Sequence, residues 1–412
     1  MTRIQVTDDS SRFGFDPRRL GRIDRRFDRY VEDGVLPGYH IVISRSGEVV
    51  YSHCGGYRDR ERLLPVNDST RWRIYSMTKP ITSVAAMMLY EEGAFELTDP
   101  IGRYLPEFAD MRVYTASAAA RTPVTVPATE PIRVWHLLTH TAGLTYGFQH
   151  SHRVDALYRA AGYDFGTPQG VDLGSGCEAF AGFPLLFNPG TAWNYSVSTD
   201  VLGHLLSVIS GWSLDKVLAE YVLNPLAMSE TGFSVDEDAA DDLAAMYLLD
   251  EGSGRVVRGS EVTVPGVAKP DFLSGGGGLI STAHDYQRFT QMLLRGGELD
   301  GIRLLGPRTV DYMTQNHLPG GSDLRGVVRS GYGETGMNGV GFGLGFSVVL
   351  DPMSTGTLGT AGEFAWGGAA NTIFWVDPVE ELTVLFFTQV LPGSALPIRP
   401  LLKQLVYQAL VG

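Results

Sequence analysis

Lysine is almost missing from this chain. Arginine supplies nearly all of its 33 basic residues, and the only lysines are Lys79, Lys216, Lys269 and Lys403. Positive charge is short as well. With 46 acidic residues the net charge is −13, which argues against nucleic acid or an anionic membrane surface as a partner. Two cysteines, Cys54 and Cys177, provide neither a metal-binding spacing nor a disulfide framework. No apolar run approaches the roughly 18 residues of a membrane span, and the segment from Met1 to Ser10 has no signal-peptide core. The expectation is a cytoplasmic protein without a membrane partner. Repeats and low-complexity tracts are absent. So is the Gly-x-Ser-x-Gly elbow that seats the nucleophile of an α/β-hydrolase. His136 and His140 are spaced i, i+4, yet no Glu follows His136. They are expected to be hydrogen-bonded structural residues, and no metal is expected. The run Gly275-Gly276-Gly277-Gly278 lacks the strand-then-helix setting of a dinucleotide fingerprint, so no cofactor is expected.

A chain of 412 residues can bury a large core, as one large domain or two. Its chemistry concentrates between Trp72 and Ile81. Ser76 and Lys79, at i and i+3, share one face of a helix, which puts an amine within reach of a hydroxyl. A serine hydroxyl attacks poorly until a base takes its proton. Lysine can be that base once burial and neighbours bring its pKa from about 10.4 toward about 7–8. Residues Ile81 to Tyr90 are apolar nearly all round, which predicts a helix buried at the centre of a domain. Glu91-Glu92-Gly93 marks its end. Pro80 is tolerated only within about the first turn, so the helix should start near Ser76 and hold the hydroxyl at its electropositive N-terminus. A second Ser-x-x-Lys, from Ser213 to Lys216, works as an internal control. There Ser213 reads as an N-cap, Val217, Leu218, Tyr221 and Val222 form an amphipathic stripe, and Lys216 should lie in water.

Along the chain, Asp16-Pro17 opens a helix with the stripe Leu20, Ile23, Phe27, Tyr30 and Val31, closed by Gly34. Strand patterns follow at Tyr39–Ser44 and Glu48–Ser52, joined by a hairpin turn. From about residue 107 to 270 alternation fades. Residues 107–130 read as loop, and helices are expected at 133–139, 153–161, 198–210, 214–224 and 237–249. Thr282 caps a helix bearing Tyr286, Phe289, Met292 and Leu293. Strand patterns return at 341–350, 372–376 and 382–388, before a last helix over about 400–411. The pattern predicts an α+β fold: an antiparallel sheet from the N- and C-terminal thirds, flanked by helices, with a mostly helical region inserted. The expected division is a discontinuous sheet domain, 1–100 with 270–412, and a helical domain, 101–269, with the active site between them.

Three stretches in this order carry a resemblance: Tyr75-Ser76-Met77-Thr78-Lys79, Tyr195-Ser196-Val197 and Trp366-Gly367-Gly368. Together they resemble the serine β-lactamase and penicillin-recognising group, and more closely the family VIII carboxylesterases, which share the class C β-lactamase fold. Leu137–Leu144, Asn188–Thr191 and Gly341–Phe346 look the same way, so the likeness runs over nearly the whole chain. It implies a β-lactamase/transpeptidase-like α/β sandwich, with Ser76 as nucleophile, Lys79 as its partner and Tyr195 as a second base. A phenol can serve only if positive charge, such as that of Lys79, stabilises its phenolate, so the two should titrate as a pair. The strand at Trp366-Gly367-Gly368 should line the site. The backbone N–H of Ala369, with that of Ser76, would form an oxyanion hole, each donor contributing about 2.7–4 kcal/mol in the transition state. Trp366 replaces the basic residue or His of the β-lactamases and peptidases, and Val197 replaces an Asn. Both changes favour a neutral, apolar acyl ester. The activity implied is hydrolysis of short acyl esters through an acyl-enzyme, with a small-molecule ester as partner and the choice of monomer or homodimer open. A β-lactamase, a DD-peptidase or amide hydrolase, an acyltransferase, and a non-catalytic binding relative are the alternatives. The loops 107–130 and 145–187 are expected to shape the acyl pocket.

Overall fold

Tyr39, Ile41 and Ile43 face one side of the strand Gly38–Arg45 (β1), while His40, Val42 and Ser44 face the other, and all six are buried. A strand buried on both faces belongs to the centre of a layered fold. The computed structural model, which describes residues 4–115, 124–259, 266–329, 336–393 and 395–412, places β1 inside an eight-stranded antiparallel sheet. Its other members are Glu48–Asp59 (β2), Leu64–Pro65 (β3), Val340–Phe342 (β4), Ser347–Val349 (β5), Phe364–Gly367 (β6), Ile373–Asp377 (β7) and Leu382–Phe387 (β8), in the order β4-β5-β6-β7-β8-β1-β2-β3. The two ends of the chain meet where β1 pairs with β8, His40 opposite Phe387 and Ile43 opposite Val384.

Helices cover both faces. Pro17–Glu32 (α1) starts as expected: the Asp16 carboxylate accepts from the N–H groups of Arg18 and Arg19, and Pro17 takes the first helical position. Its Leu20, Ile23 and Phe27 join Leu402 and Val406 of Ile398–Tyr407 (α5) against Ile41, Ile43, Trp375, Val384 and Phe386. The opposite face carries Val42, Phe374, Leu385 and Phe387, packed with Ile81 of Thr78–Glu91 (α2) and Tyr286 and Phe289 of Ala283–Leu294 (α4). The α4 cap is Thr282, whose hydroxyl accepts from the Asp285 N–H. The helix Ser198–Ser210 (α3) packs against α2 from the inserted region, burying Val201, Leu202, Leu205 and Leu206 in the same core as α2.

Several expectations need correction. Residues 341–350 form a hairpin rather than one strand: β4 and β5 turn at Gly345, which takes φ +98 and stands where a Cβ would strike Ser83 of α2. Residues 107–130 are not all loop, because Arg112–Thr115 pairs antiparallel with Val124–Pro127; residues 116–123 of that stretch lie outside the described residues. The helix expected at 237–249 is a 3-10 turn, Glu237–Asp242, followed by the strand Tyr247–Asp250, which pairs with Arg255–Arg258 and with Val390–Leu391. A helix at Leu173–Ala181 was not expected at all. Ser213 does occupy an N-cap position, but its side chain makes no capping bond.

Candidate active site

Ser76 sits two residues before α2, in a single 3-10 turn, Tyr75–Met77. Tyr75 reaches that turn with φ +43, a left-handed conformation that costs a non-glycine residue roughly 1–3 kcal/mol and presents the next side chain at the mouth of a cleft. Lys79 follows in the first turn of α2 and is 2% exposed. Its Nζ donates to Ser76 Oγ at 3.2 Å and to the Gly276 carbonyl at 2.7 Å, and it lies over the Tyr195 ring, 4.5 Å from the centroid. A buried ammonium needs this kind of solvation, since desolvation alone would strip its proton. The control pair behaves differently: Lys216 is exposed, with Nζ 4.3 Å from the Trp212 ring.

Tyr195 comes from the loop ahead of α3 and is itself buried. Its main-chain oxygen accepts from Gln149 and, at 3.2 Å, from Asn194 Nδ2. Its phenolic oxygen accepts from the Trp366 indole at 3.2 Å. Indole nitrogen can only donate, so this contact favours negative charge on the phenol oxygen. His140, left-handed at φ +55 after the short helix Val134–Leu138, packs its ring 4.9 Å from that of Tyr195, and its Nδ1 is 3.2 Å from Ser196 Oγ. Burial, and then the Lys79 charge, hold the His140 imidazole neutral, well below its ordinary pKa. His136 Nδ1 accepts from the Arg133 N–H at 3.0 Å.

The cleft in front of Ser76 has a volume of about 1140 Å³. Tyr195, Val197 and Ala369 line it; Trp366, Gly367 and Gly368 do not. This corrects the expected role of the β6 motif. Trp366 is fully buried behind Tyr195, edge-on to Phe342 at 5.2 Å. The glycines let the end of β6 close onto the Ser76 turn: a Cβ at Gly368 would stand 2.4 Å from the Ile74 carbonyl oxygen. Of the two expected pocket loops, 145–187 lines the cleft through Tyr146, Phe148, Tyr163, Phe165 and Phe180, whereas none of the described residues of 107–130 does. Residues 266–272 and the glycines 276–278, not anticipated as walls, complete it. Tyr146 also escaped the sequence reading, though its ring lies 5.5 Å from Lys79 Nζ and edge-on to Tyr195 at 5.4 Å.

The sequence pattern of the Beta-lactamase family matches residues 23–407. The chain belongs to the beta-lactamase family. Esterase EstB of Burkholderia gladioli is 30% identical over 423 residues, covering 97% of this chain and 98% of that protein. Among solved structures, EstCE1, described as a hydrolase with promiscuous acyltransferase activity, matches with a TM-score of 0.78 and 27% identity over 96% of this chain and 98% of its own. Unliganded simvastatin synthase (LovD) of Aspergillus terreus, in its selenomethionyl form, matches with a TM-score of 0.80 and 25% identity over 95% and 97%. The protein therefore has the β-lactamase fold of a serine hydrolase family that includes esterase and acyltransferase relatives.

Among the described residues, one grouping with metal-ligand chemistry lies away from the cleft: His40, Cys54 and Asp68 bring their ligand atoms within 4.8 Å of one another. Strand pairing sets His40 opposite Cys54, a proximity that sequence spacing does not reveal. No helix among the described residues is long and apolar enough to cross a membrane.

Proposed function

We propose that the protein is a serine esterase that cleaves neutral acyl esters through an acyl-enzyme on Ser76. The observation that carries this reading is the buried Lys79 amine, 3.2 Å from the Ser76 hydroxyl and 4.5 Å from the centre of the Tyr195 ring. In the proposed cycle Ser76 Oγ bonds to the acyl carbon while its proton passes to the Lys79–Tyr195 pair. The carbonyl oxygen, negative in the tetrahedral intermediate, is met by the backbone N–H groups of Ser76 and Ala369. The pair returns the proton to the departing alkoxide. Water then attacks the acyl carbon, giving its proton to the same pair, and the serine leaves reprotonated. Esterase EstB, similar over almost the whole chain, supports the ester as substrate class. Ser76→Ala is the test, assayed on p-nitrophenyl butyrate: near-complete loss is expected, and full activity would end the reading. Lys79→Ala should likewise abolish turnover, with Lys216→Ala close to wild type.

One observation favours a second reading, acyl transfer to an alcohol. A cleft of about 1140 Å³ walled by five aromatic side chains of the 145–187 segment exceeds what a butyryl group fills, leaving space for a bulky acceptor or leaving group. EstCE1, a hydrolase with promiscuous acyltransferase activity, and simvastatin synthase point the same way. Product partition between water and a bulky added alcohol distinguishes the two.

A further inference from the structure

Beneath the Lys79 amine the glycine tract is gripped from two sides. From α2, Thr82 Oγ1 donates to the Gly275 carbonyl at 2.8 Å, and Thr78 Oγ1 accepts from the Leu279 N–H at 3.1 Å. From α3, a single oxygen, Asp200 Oδ1, accepts from Ser274 Oγ at 2.5 Å and from the Gly276 N–H at 3.0 Å. Gly276 thus answers to Asp200 through its N–H and receives Lys79 Nζ on its carbonyl at 2.7 Å. A Cβ at this residue would stand 2.8 Å from the Asp200 carboxylate, so only glycine permits the approach. Asp200 is 4% exposed, in the first turn of α3, where free N–H groups and the dipole favour an anion. Burial raises its pKa, and the Lys79 charge is the largest influence in the other direction. Other titratable groups face this pair. The rings of Tyr195 and Tyr146 lie beside the amine, His140 is held neutral by burial, and the Cys177 thiol behind Asp200 is pushed well up by burial and then by Asp200 itself.

We propose that Asp200 is the positioning residue for the catalytic amine: it fixes the glycine whose carbonyl receives Lys79 and supplies the buried negative charge that an ammonium at this depth requires. The inference rests on the Ser76–Lys79 chemistry proposed above. Nothing in the sequence singled out Asp200, because its partner lies 76 residues away on the glycine tract.

The test is the pH profile of kcat/KM on p-nitrophenyl butyrate. Asp200→Asn removes the charge yet keeps an oxygen where both donors point. Losing a negative charge beside the Lys79–Tyr195 pair lowers the proton affinity of both groups, so the whole bell should move toward acid by about one pH unit. Ser274→Ala does the reverse: the charge stays, one donor that shares it is gone, and the bell should move toward alkali by a smaller step. Opposite displacements cannot come from a loosened fold, which Tm checks separately. An unshifted or reversed bell in either variant overturns the proposal, and the Ser274→Ala profile decides alone should Asp200→Asn fail to fold. Activity that survives Ser76→Ala would instead sink the parent reading, so the two failures are distinguishable.

Discussion

The Trp366 indole N–H points at the Tyr195 oxygen, and a phenylalanine in its place would have no such donor. Trp366→Phe should lose that donor and also leave a small void at a fully buried site, so Tm is read beside the rate. A hydrogen bond to a charged partner contributes about 1.5–3 kcal/mol, so kcat/KM should fall by at least about tenfold. The phenolate loses stabilisation, so the acid limb of the pH profile should move toward alkali. A rate and profile matching wild type would remove Trp366 from the proton path. Ser76 and Lys79 were legible in the sequence because their contact is local, fixed by helical spacing. Trp366 was legible as a position but not as a donor, since its partner lies 171 residues away and the direction of the indole depends on tertiary packing. It was expected to face substrate, and it faces the Tyr195 phenol.

The approach of β6 to the Ser76 turn is a property of elements, and it depends on Gly368. Gly368→Ala would place a methyl 2.3 Å from Thr372 Oγ1 and 2.4 Å from the Ile74 carbonyl oxygen. The strand must then retreat. The expected cost is about 1–3 kcal/mol in stability, seen in Tm, with a larger proportional loss in kcat because Ala369 moves away from Ser76. Gly336→Ala, with open space around its Cβ, should leave both unchanged. Equal Tm values for the two variants would show that the strand end is not constrained. Elements with local punctuation were legible: α1 through Asp16-Pro17, α2 through Pro80 and Gly93, α4 through Thr282. The helix Leu173–Ala181 was missed because Gly174, Ser175 and Gly176 are poor helix formers, and packing of Leu173, Cys177 and Phe180 overrides them. Tyr247–Asp250 was misread as helix although its longer pairing, with Arg255–Arg258, is a local hairpin; only the flanking Val390–Leu391 is distant in sequence.

At the scale of the molecule, charge is unevenly spent. Lining the cleft among the described residues are Asp164, Asp200 and Asp271, against one cation, Lys269, whose Nζ is 2.5 Å from Asp215. With a net charge of −13 around it, the cleft should reject anions. A neutral nitrophenyl ester should therefore exceed a carboxylated analogue of equal size by about tenfold or more in kcat/KM, and nitrocefin, which carries a carboxylate, should turn over slowly. Added salt should narrow the gap. Parity at low salt would refute this. Stability should also depend on pH. Burial depresses the pKa of His40 and His136 to about 3 and that of His140 well below its ordinary value. Their neutral forms are favoured by the fold, so stability is fully present above about pH 6.5, the unfolded value, and is lost as pH falls toward 3. The Tm should drop progressively through that window, and His136→Gln should flatten the slope; an unaltered slope would show that His136 titrates freely. The sheet built from both ends of the chain was legible because alternating apolar runs cluster at 39–52 and 372–388. The walls of the cleft were not, since they are loops whose course is set by what they pack against.

The near absence of lysine has a practical side. Lys79 and Lys403 are buried, so an amine-acylating reagent meets two exposed side chains, Lys216 and Lys269. The protein is thereby spared most of the adventitious modification that activated acyl compounds inflict on lysine-rich surfaces. The same scarcity means that covalent attachment to a support through side-chain amines would hold the molecule by Lys216 and Lys269, the latter at the rim of the cleft, and leave the Lys79 amine untouched.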